Sequence, residues 1–133
     1  MDKLEFINKE MTVLAVPYQY GEWVSETDDE KKPPVVTYPY TVGEISEEPP
    51  MTEDGAEIST LILTCWNRGT LLVLEQLKAK IKKHFHPIHG LRGDTDSGTI
   101  AVFYESSFPI PSGEEGLKKI QINLKIKEWK GDL

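Results

Sequence analysis

The twelve residues KKIQINLKIKEW, numbers 118–129, decide the class of fold. Apolar and polar side chains alternate through the middle of this stretch, and the apolar set is Ile120, Ile122, Leu124 and Ile126. Because successive side chains of a strand point to opposite faces of a sheet, this pattern predicts an antiparallel strand with one buried and one wet face. The rest of the chain must therefore supply elements that cover the buried face.

Two segments have the apolar spacing of amphipathic helices. The first follows Asp2, a suitable N-cap, and ends before Pro17. The second covers residues 71–85, with Thr70 as the expected cap and lysines near its carboxyl end, where they complement the helix dipole. The apolar stripes are Leu4, Ile7, Met11 and Leu14 in the first helix, and Leu74, Leu77, Ile81 and Phe85 in the second.

The other regular elements are predicted strands, beginning with a short one soon after Pro17. Residues 35–46 are rich in β-branched and aromatic side chains, but Pro39 cannot donate to a strand ladder, so we expect an edge or a bulge there. Residues 57–66 are apolar on both faces, which predicts a central strand buried on both sides. Residues 99–106 form a further strand. This order predicts an α+β fold, a mainly antiparallel β-sheet covered by two helices, in a single domain spanning residues 1–133.

Polar segments between these elements are predicted loops. Residues about 24–34 form an exposed acidic loop that ends at a proline pair. Asp54 and Gly55 give a strong local turn signal. Residues about 86–98 form a longer, flexible loop, and loops of that length tend to be functional or disordered.

Charge is unevenly distributed along the chain, whose net charge is −7. Residues 1–66 hold 14 Asp and Glu against 4 Lys and Arg, whereas residues 67–133 hold 8 against 11. An acidic half and a mildly basic half favour head-to-tail self-association over nucleic-acid binding, which usually needs a concentrated basic face. The alternative is that both halves are simply solvated surface.

The stretch FHPIHGLRGDTDSG, residues 85–98, combines side-chain types that bind metals with an Arg-Gly-Asp triplet. The three histidines, His84, His86 and His89, lack a second ligand cluster of the kind zinc sites use. Asp94 and Asp96 resemble the start of a calcium loop, but the distal bidentate glutamate is absent. We therefore predict no metal site and no cofactor here.

No nucleophilic or phosphate-binding motif is present in the sequence. The single cysteine, Cys65, lies in a predicted buried strand, where a small core side chain is the better interpretation than a nucleophile. The charged N-terminus is unlike a secretory signal, and no apolar run has the roughly 20 residues of a membrane span. We predict a cytosolic protein without enzymatic activity, with no membrane partner.

Four stretches together carry a family resemblance: VVTYPYTVGE (35–44), TEDG followed by EISTLILTCWNRG (52–69), LEQLKAKIKKHF (74–85) and the chain from Gly98 to Gly131. In order and spacing they resemble small tail-module proteins encoded by phages and prophages of Gram-positive bacteria. The most distinctive parts are residues 66–69 and 119–124. These are structural signatures rather than catalytic ones.

The element order is also similar to that of tail terminator, or tail completion, proteins of long-tailed phages. That resemblance implies a ring, often of six subunits, which caps the tail tube and meets the head connector. It implies as partners other copies of the chain, the tail tube protein and the head–tail connector protein, with no sequence-specific nucleic acid. The expected location is the host bacterial cytoplasm during assembly and then the virion tail.

In a ring, the loop 86–98 would be a mobile segment ordered by contact with the tube or the connector. Candidate assembly contacts are Arg68, Arg92, Asp94 and Asp96, and the alternative is that these are solvated loop side chains. Two other functions stay open: another head–tail connector role, or a prophage-encoded protein-binding module that acts as a monomer or dimer. Fold alone does not separate these functions.

Overall fold

The computed structural model describes residues 1–21, 38–47 and 56–130, and the predicted acidic loop 24–34 and the turn at Asp54 lie outside these ranges. The described residues form two helices and six strands. In chain order they are α1 (Lys3–Val13), β1 (Tyr18–Tyr20), β2 (Tyr40–Glu47), β3 (Glu57–Arg68), α2 (Leu72–His84), β4 (Leu91–Thr95), β5 (Gly98–Pro109) and β6 (Leu117–Lys130).

The strands form one sheet in the order β1-β2-β3-β6-β5-β4. The α+β class with two helices is as predicted, but the sheet is mixed, because β1 pairs with β2 in parallel while the other neighbouring strands are antiparallel. A parallel pair needs a long connection rather than a hairpin. Here residues 21–39 connect the two strands.

The hydrophobic core lies on one side of the sheet, between the sheet and both helices. Apolar side chains of both helices and of the central strands belong to one cluster. In β3 and β6 every second residue is buried and the residues between are partly exposed. The prediction of one wet face for β6 is confirmed. The prediction that β3 is buried on both faces is wrong, because both helices pack on the same face.

The helices differ from prediction in their details. Asp2 caps α1 as predicted, its carboxylate accepting a hydrogen bond from the backbone N–H of Glu5 at 2.8 Å. Leu4, however, is 40% exposed, and Phe6 takes a place in the core instead. The expected cap of α2 by Thr70 is wrong, since the helix begins at Leu72 and its N-cap residue makes no side-chain capping bond.

The segment predicted as a loop, residues 86–98, contains strand β4. This strand pairs with β5 through a tight connection, with Thr95 opposite Gly98. Gly93 lies against the ring of Phe6, so close that a Cβ atom at Gly93 would sit 2.3 Å from the ring. The sequence LRGDT conceals the strand because it has two charges and a glycine and only one β-branched residue.

Candidate interaction surfaces

The sheet face opposite the helices, called here the open face, is the first candidate surface. Paired residues of an antiparallel sheet share a face, so the strand registers identify its members. In the two central strands these are partly exposed residues: Ile58, Thr60, Ile62, Thr64 and Trp66 on β3, and Lys119, Gln121, Asn123, Lys125 and Lys127 on β6. This mixture of aliphatic, aromatic, amide and ammonium groups suits contact with another macromolecule.

An aromatic and basic stack lies at one end of the open face. The rings of Tyr40 and Trp66 are stacked with centroids 4.8 Å apart, and the Lys119 ammonium lies 5.5 Å from the Trp66 ring. Partial burial, and then the neighbouring Tyr38 ring, raise the pKa of Tyr40, so this phenol stays neutral at physiological pH. The stack therefore presents a cation above a rigid aromatic platform.

Amide and lysine side chains continue along β6. Gln121 donates a hydrogen bond to Asn123 at 2.9 Å, and Asn123 donates to Ser106 on β5 at 3.1 Å. Lys125 and Lys127 follow on the same face, and within the described part of the chain neither of them takes part in an ion pair. Their charges are therefore free to meet an acidic partner.

The strand order groups the strands from the acidic half of the chain apart from those of the basic half. Strands β1–β3, from the acidic half, lie together at one side, and β6, β5 and β4, from the basic half, lie together at the other. Strands β1–β3 carry three carboxylates and one arginine, whereas β4–β6 carry six cations and three carboxylates. Five of these six cations are lysines of β6, so the positive charge lies on this central strand, beside the net acidic strands β1–β3, whereas β4 and β5 together carry one arginine and two carboxylates.

Arg68 lies at the end of β3 and is the one cation on strands β1–β3. Its guanidinium pairs with Glu114 at 2.9 Å and lies 5.6 Å from the Tyr38 ring. Hydrogen bonds to Glu114 and then to Tyr38 raise the pKa of Arg68. The acidic neighbour expected for this residue therefore exists within its own chain.

Arg92 and Asp94 lie far from Arg68, because β6 and β5 separate β4 from β3. Both side chains are exposed and, two residues apart on one strand, share a face. Asp96 follows in the turn, where its carboxylate pairs with the N-terminal ammonium group of Met1. The hydrogen bond to Asp96 raises the pKa of that ammonium group. The structure thus places Arg92 and Asp94 on one face of β4 and gives Asp96 an internal partner.

His84 and His86 each make side-chain hydrogen bonds to other residues of the chain. His84 Nε2 lies 2.8 Å from a carboxylate oxygen of Glu10 and so links α2 to α1. His86 Nδ1 accepts hydrogen bonds from the backbone N–H groups of Ile88 and His89, at 3.1 and 3.2 Å. Across residues 1–21, 38–47 and 56–130, no group of three or more His, Cys, Asp or Glu could hold a metal ion.

Cys65 is fully buried on the helix-covered face of β3, as its sequence position predicts. Burial raises the pKa of its thiol to about 11, although a hydrogen bond donated by Thr41 works in the opposite direction. A thiol in this state is a poor nucleophile at neutral pH, since the thiolate is the reactive form.

The open-face residues carry no signal that sequence reasoning alone can use. The alternation in residues 118–129 identifies a wet face, but wet faces of sheets are common and indicate no function by themselves. What distinguishes this face is the pairing of β6 with β3, which places Trp66 opposite Lys119. This pairing joins residues more than fifty positions apart, and sequence periodicity gives no information about it.

No family model matches the chain, and no curated protein is significantly similar to it. Neither of the helices described here has the length and apolar character needed to cross a bilayer. The resemblance to phage tail-module proteins therefore stands on the sequence stretches quoted above, and the function it implies is a proposal.

Proposed function

We propose that this protein is a non-enzymatic assembly protein of a phage or prophage, a tail terminator whose copies form a ring. The ring caps the finished tail tube and joins it to the head connector. Its partners are other copies of the chain, the tail tube protein and the head–tail connector protein. It works in the host bacterial cytoplasm during assembly and remains in the virion tail.

The contrast in charge between the acidic strands β1–β3 and the lysine-rich strand β6 is the observation that supports this proposal most. A ring requires heterologous contacts, in which one side of a subunit meets a different side of the next. The open-face lysines of β6 and the exposed Glu44 of β2 are separate, oppositely charged regions of the sheet that suit such a contact. The other two carboxylates of β1–β3, Glu47 and Glu57, already pair with Lys3 and Lys130 within the chain. Electrostatic complementarity of this kind steers association and fixes the orientation of partners.

The open face supplies the contact surface in this proposal. Lys125 and Lys127 would face carboxylates of the neighbouring subunit, and the stack of Tyr40, Trp66 and Lys119 would provide its apolar anchor. Aromatic residues are enriched at interface centres because they bury a large area with little loss of conformational freedom. The lysines would then act mainly through orientation and association rate.

Light scattering of two matched double variants tests this proposal. In the test variant, Lys125→Glu and Lys127→Glu reverse two charges on the open face. In the control, Lys80→Glu and Lys83→Glu make the same change in net charge on exposed positions of α2. Far-UV circular dichroism and urea unfolding check that both variants remain folded.

The expected result is a concentration-dependent ring for the wild type and the control, and its loss in the open-face variant. Purified tail tubes, added in a parallel pelleting experiment, should bring down the wild type and the control but not the open-face variant. A folded open-face variant that assembles and pellets like the wild type would contradict the proposal.

The competing proposal is a prophage-encoded protein-binding module that acts as a monomer or dimer. The observation that favours it is the exposed edge strand β4, which offers a route to a dimer without a ring. Such a protein would ignore tail tubes in the pelleting experiment. Another head–tail connector role would instead show binding to connector rings in place of tubes.

A further inference from the structure

We infer that β4 is a self-complementary edge, which pairs antiparallel with β4 of a second copy across a twofold axis. This contact goes beyond the proposed ring, whose subunits meet head to tail. Either contact can exist without the other, so each can be tested alone.

The first support is the free edge itself. Among the strands formed by residues 1–21, 38–47 and 56–130, β4 is the last of the sheet, and its one neighbour is β5. Hydrogen-bonding directions alternate along a strand. In the turn just beyond β4, the Asp96 N–H donates to the carbonyl oxygen of Met1 at 2.8 Å, so the N-terminus occupies that end of the edge. Because Thr95 and Gly98 close the hairpin, this alternation directs the N–H and C=O groups of Arg92 and Asp94 away from β5. Unpaired backbone groups of this kind are a template for another strand.

The second observation concerns the charges of the Arg92 and Asp94 side chains. Arg92 and Asp94 are both exposed, and within the described part of the chain neither side chain takes part in an ion pair. By contrast, the carboxylate of Asp96, two residues after Asp94, pairs with the N-terminal ammonium group of Met1. Two opposite charges thus stand two residues apart on an open edge, each available to a partner.

The third support is the register that these charges select. If two copies of LRGDT pair antiparallel about Gly93, Arg92 lies opposite the second copy's Asp94, and Asp94 lies opposite the second copy's Arg92. These two positions are also the ones whose backbone groups point outward, so the ion pairs coincide with the hydrogen-bonded pairs. Centring the pairing on Arg92 or on Asp94 would place like charges opposite each other, which is unfavourable.

Gly93 fits the centre of this contact. Its missing side chain would point to the helix-covered face, where Phe6 fills the space, so the twofold axis passes through a backbone position rather than a side-chain contact. On the same side of the sheet, residues 105–109 of β5 extend beyond β4 and are less suited to pairing. A register shift follows Tyr104, and Pro109 has no N–H group to donate.

Charge reversal on the edge gives a decisive test by sedimentation equilibrium up to millimolar protein, without tail tubes. Arg92→Asp places aspartates of the two copies opposite each other, and Asp94→Arg does the same with arginines. Each single variant should therefore associate roughly 30-fold more weakly than the wild type. Lys80→Glu serves as the control, because it reverses a charge on α2 away from the edge.

Mixing the two single variants provides the discriminating result. One copy then carries two aspartates and the other two arginines, so every opposed pair is attractive and a heterodimer should form. The double variant, with both substitutions in one chain, should form homodimers again but should not pair with the wild type. Urea unfolding of each variant alone checks that the fold is retained.

The inference is overturned if the wild type stays monomeric up to millimolar concentration. It is equally overturned if the single variants dimerise like the wild type, or if the mixture associates no better than its components. A head-to-tail ring formed through other surfaces would persist in both single variants, so failure of the twofold contact is distinguishable from failure of the proposed ring.

Discussion

Replacing Gly93 by alanine tests how closely α1 packs on the edge of the sheet. The new Cβ atom would lie 2.3 Å from Phe6 Cε2 and 2.9 Å from Phe6 Cζ. Since favourable carbon–carbon contacts lie near about 3.5–4.0 Å, the ring or the strand must move by roughly 1 Å. Phe6 is only 5% exposed and belongs to the core cluster, so little empty space is available for that movement.

The expected cost of Gly93→Ala follows from two opposing effects. Overpacking of a core costs about 1–3 kcal/mol. Alanine also restricts the unfolded chain, which returns about 0.4–1 kcal/mol. The free energy of unfolding should therefore fall by about 1–2 kcal/mol, and the melting temperature by roughly 5 °C. Urea unfolding followed by tryptophan fluorescence measures this change.

A second substitution identifies the cause of that loss. Phe6→Leu removes the ring atoms that the new Cβ would meet, so in this background Gly93→Ala should cost less than about 0.5 kcal/mol. Phe6→Leu alone, measured in parallel, supplies the reference for the double variant. An unchanged free energy of unfolding in Gly93→Ala, or an equal loss in both backgrounds, would show that Phe6 does not limit the space at Gly93.

Two further predictions concern buried ionisable groups. Folding raises the pKa of the Cys65 thiol from 9.0 to about 11, so above pH 9 the thiol ionises more readily in the unfolded chain. The contribution of the neutral thiol to stability is therefore complete below pH 9 and is lost as the pH rises through 11. The free energy of unfolding of the wild type should therefore fall between pH 9 and 11 by roughly 2 kcal/mol more than that of Cys65→Ala, and equal slopes would contradict this. Lys3→Met leaves Glu128, which is 7% exposed, without the ammonium group that lies 3.2 Å away, and should cost about 1–3 kcal/mol. Adding Glu128→Gln should recover part of that loss in urea unfolding, and a further loss of stability would argue against the pair.

Elements with strong periodicity are the predictable part of the fold. The alternation in β6, the cap at Asp2 and the apolar stripe of α2 each depend on local chemistry, and each appears in the structure. The wet face of β6 is also predictable, because lysine and amide side chains separate its apolar residues.

The errors arise where distant parts of the chain decide the outcome. Apolar residues on the second face of β3 suggest double burial, but Trp66 is covered by Tyr40 and Lys119 rather than by a helix. The sequence LRGDT has low strand propensity and so hides β4, whose pairing with β5 and close packing of Gly93 on Phe6 place it in the sheet. Tertiary contacts of this kind override local preference.

The candidate interaction surfaces are predictable only where their residues are close together in the sequence. Arg92 and Asp94 are candidate contacts in a segment that the sequence presents as a loop, and the structure places them on a sheet edge. Because they lie two residues apart in the sequence, both can be recognised as candidate contacts without the structure. The open-face stack cannot be found in this way, because the strand pairing brings its residues together from separate parts of the chain.

Electron microscopy of purified tail tubes mixed with this protein tests the central claim most directly. We predict rings of density confined to the tube ends, present with the wild type and absent with the variant that carries Lys125→Glu and Lys127→Glu. Tubes with bare ends at saturating protein, or protein bound along the tube walls instead, would contradict it.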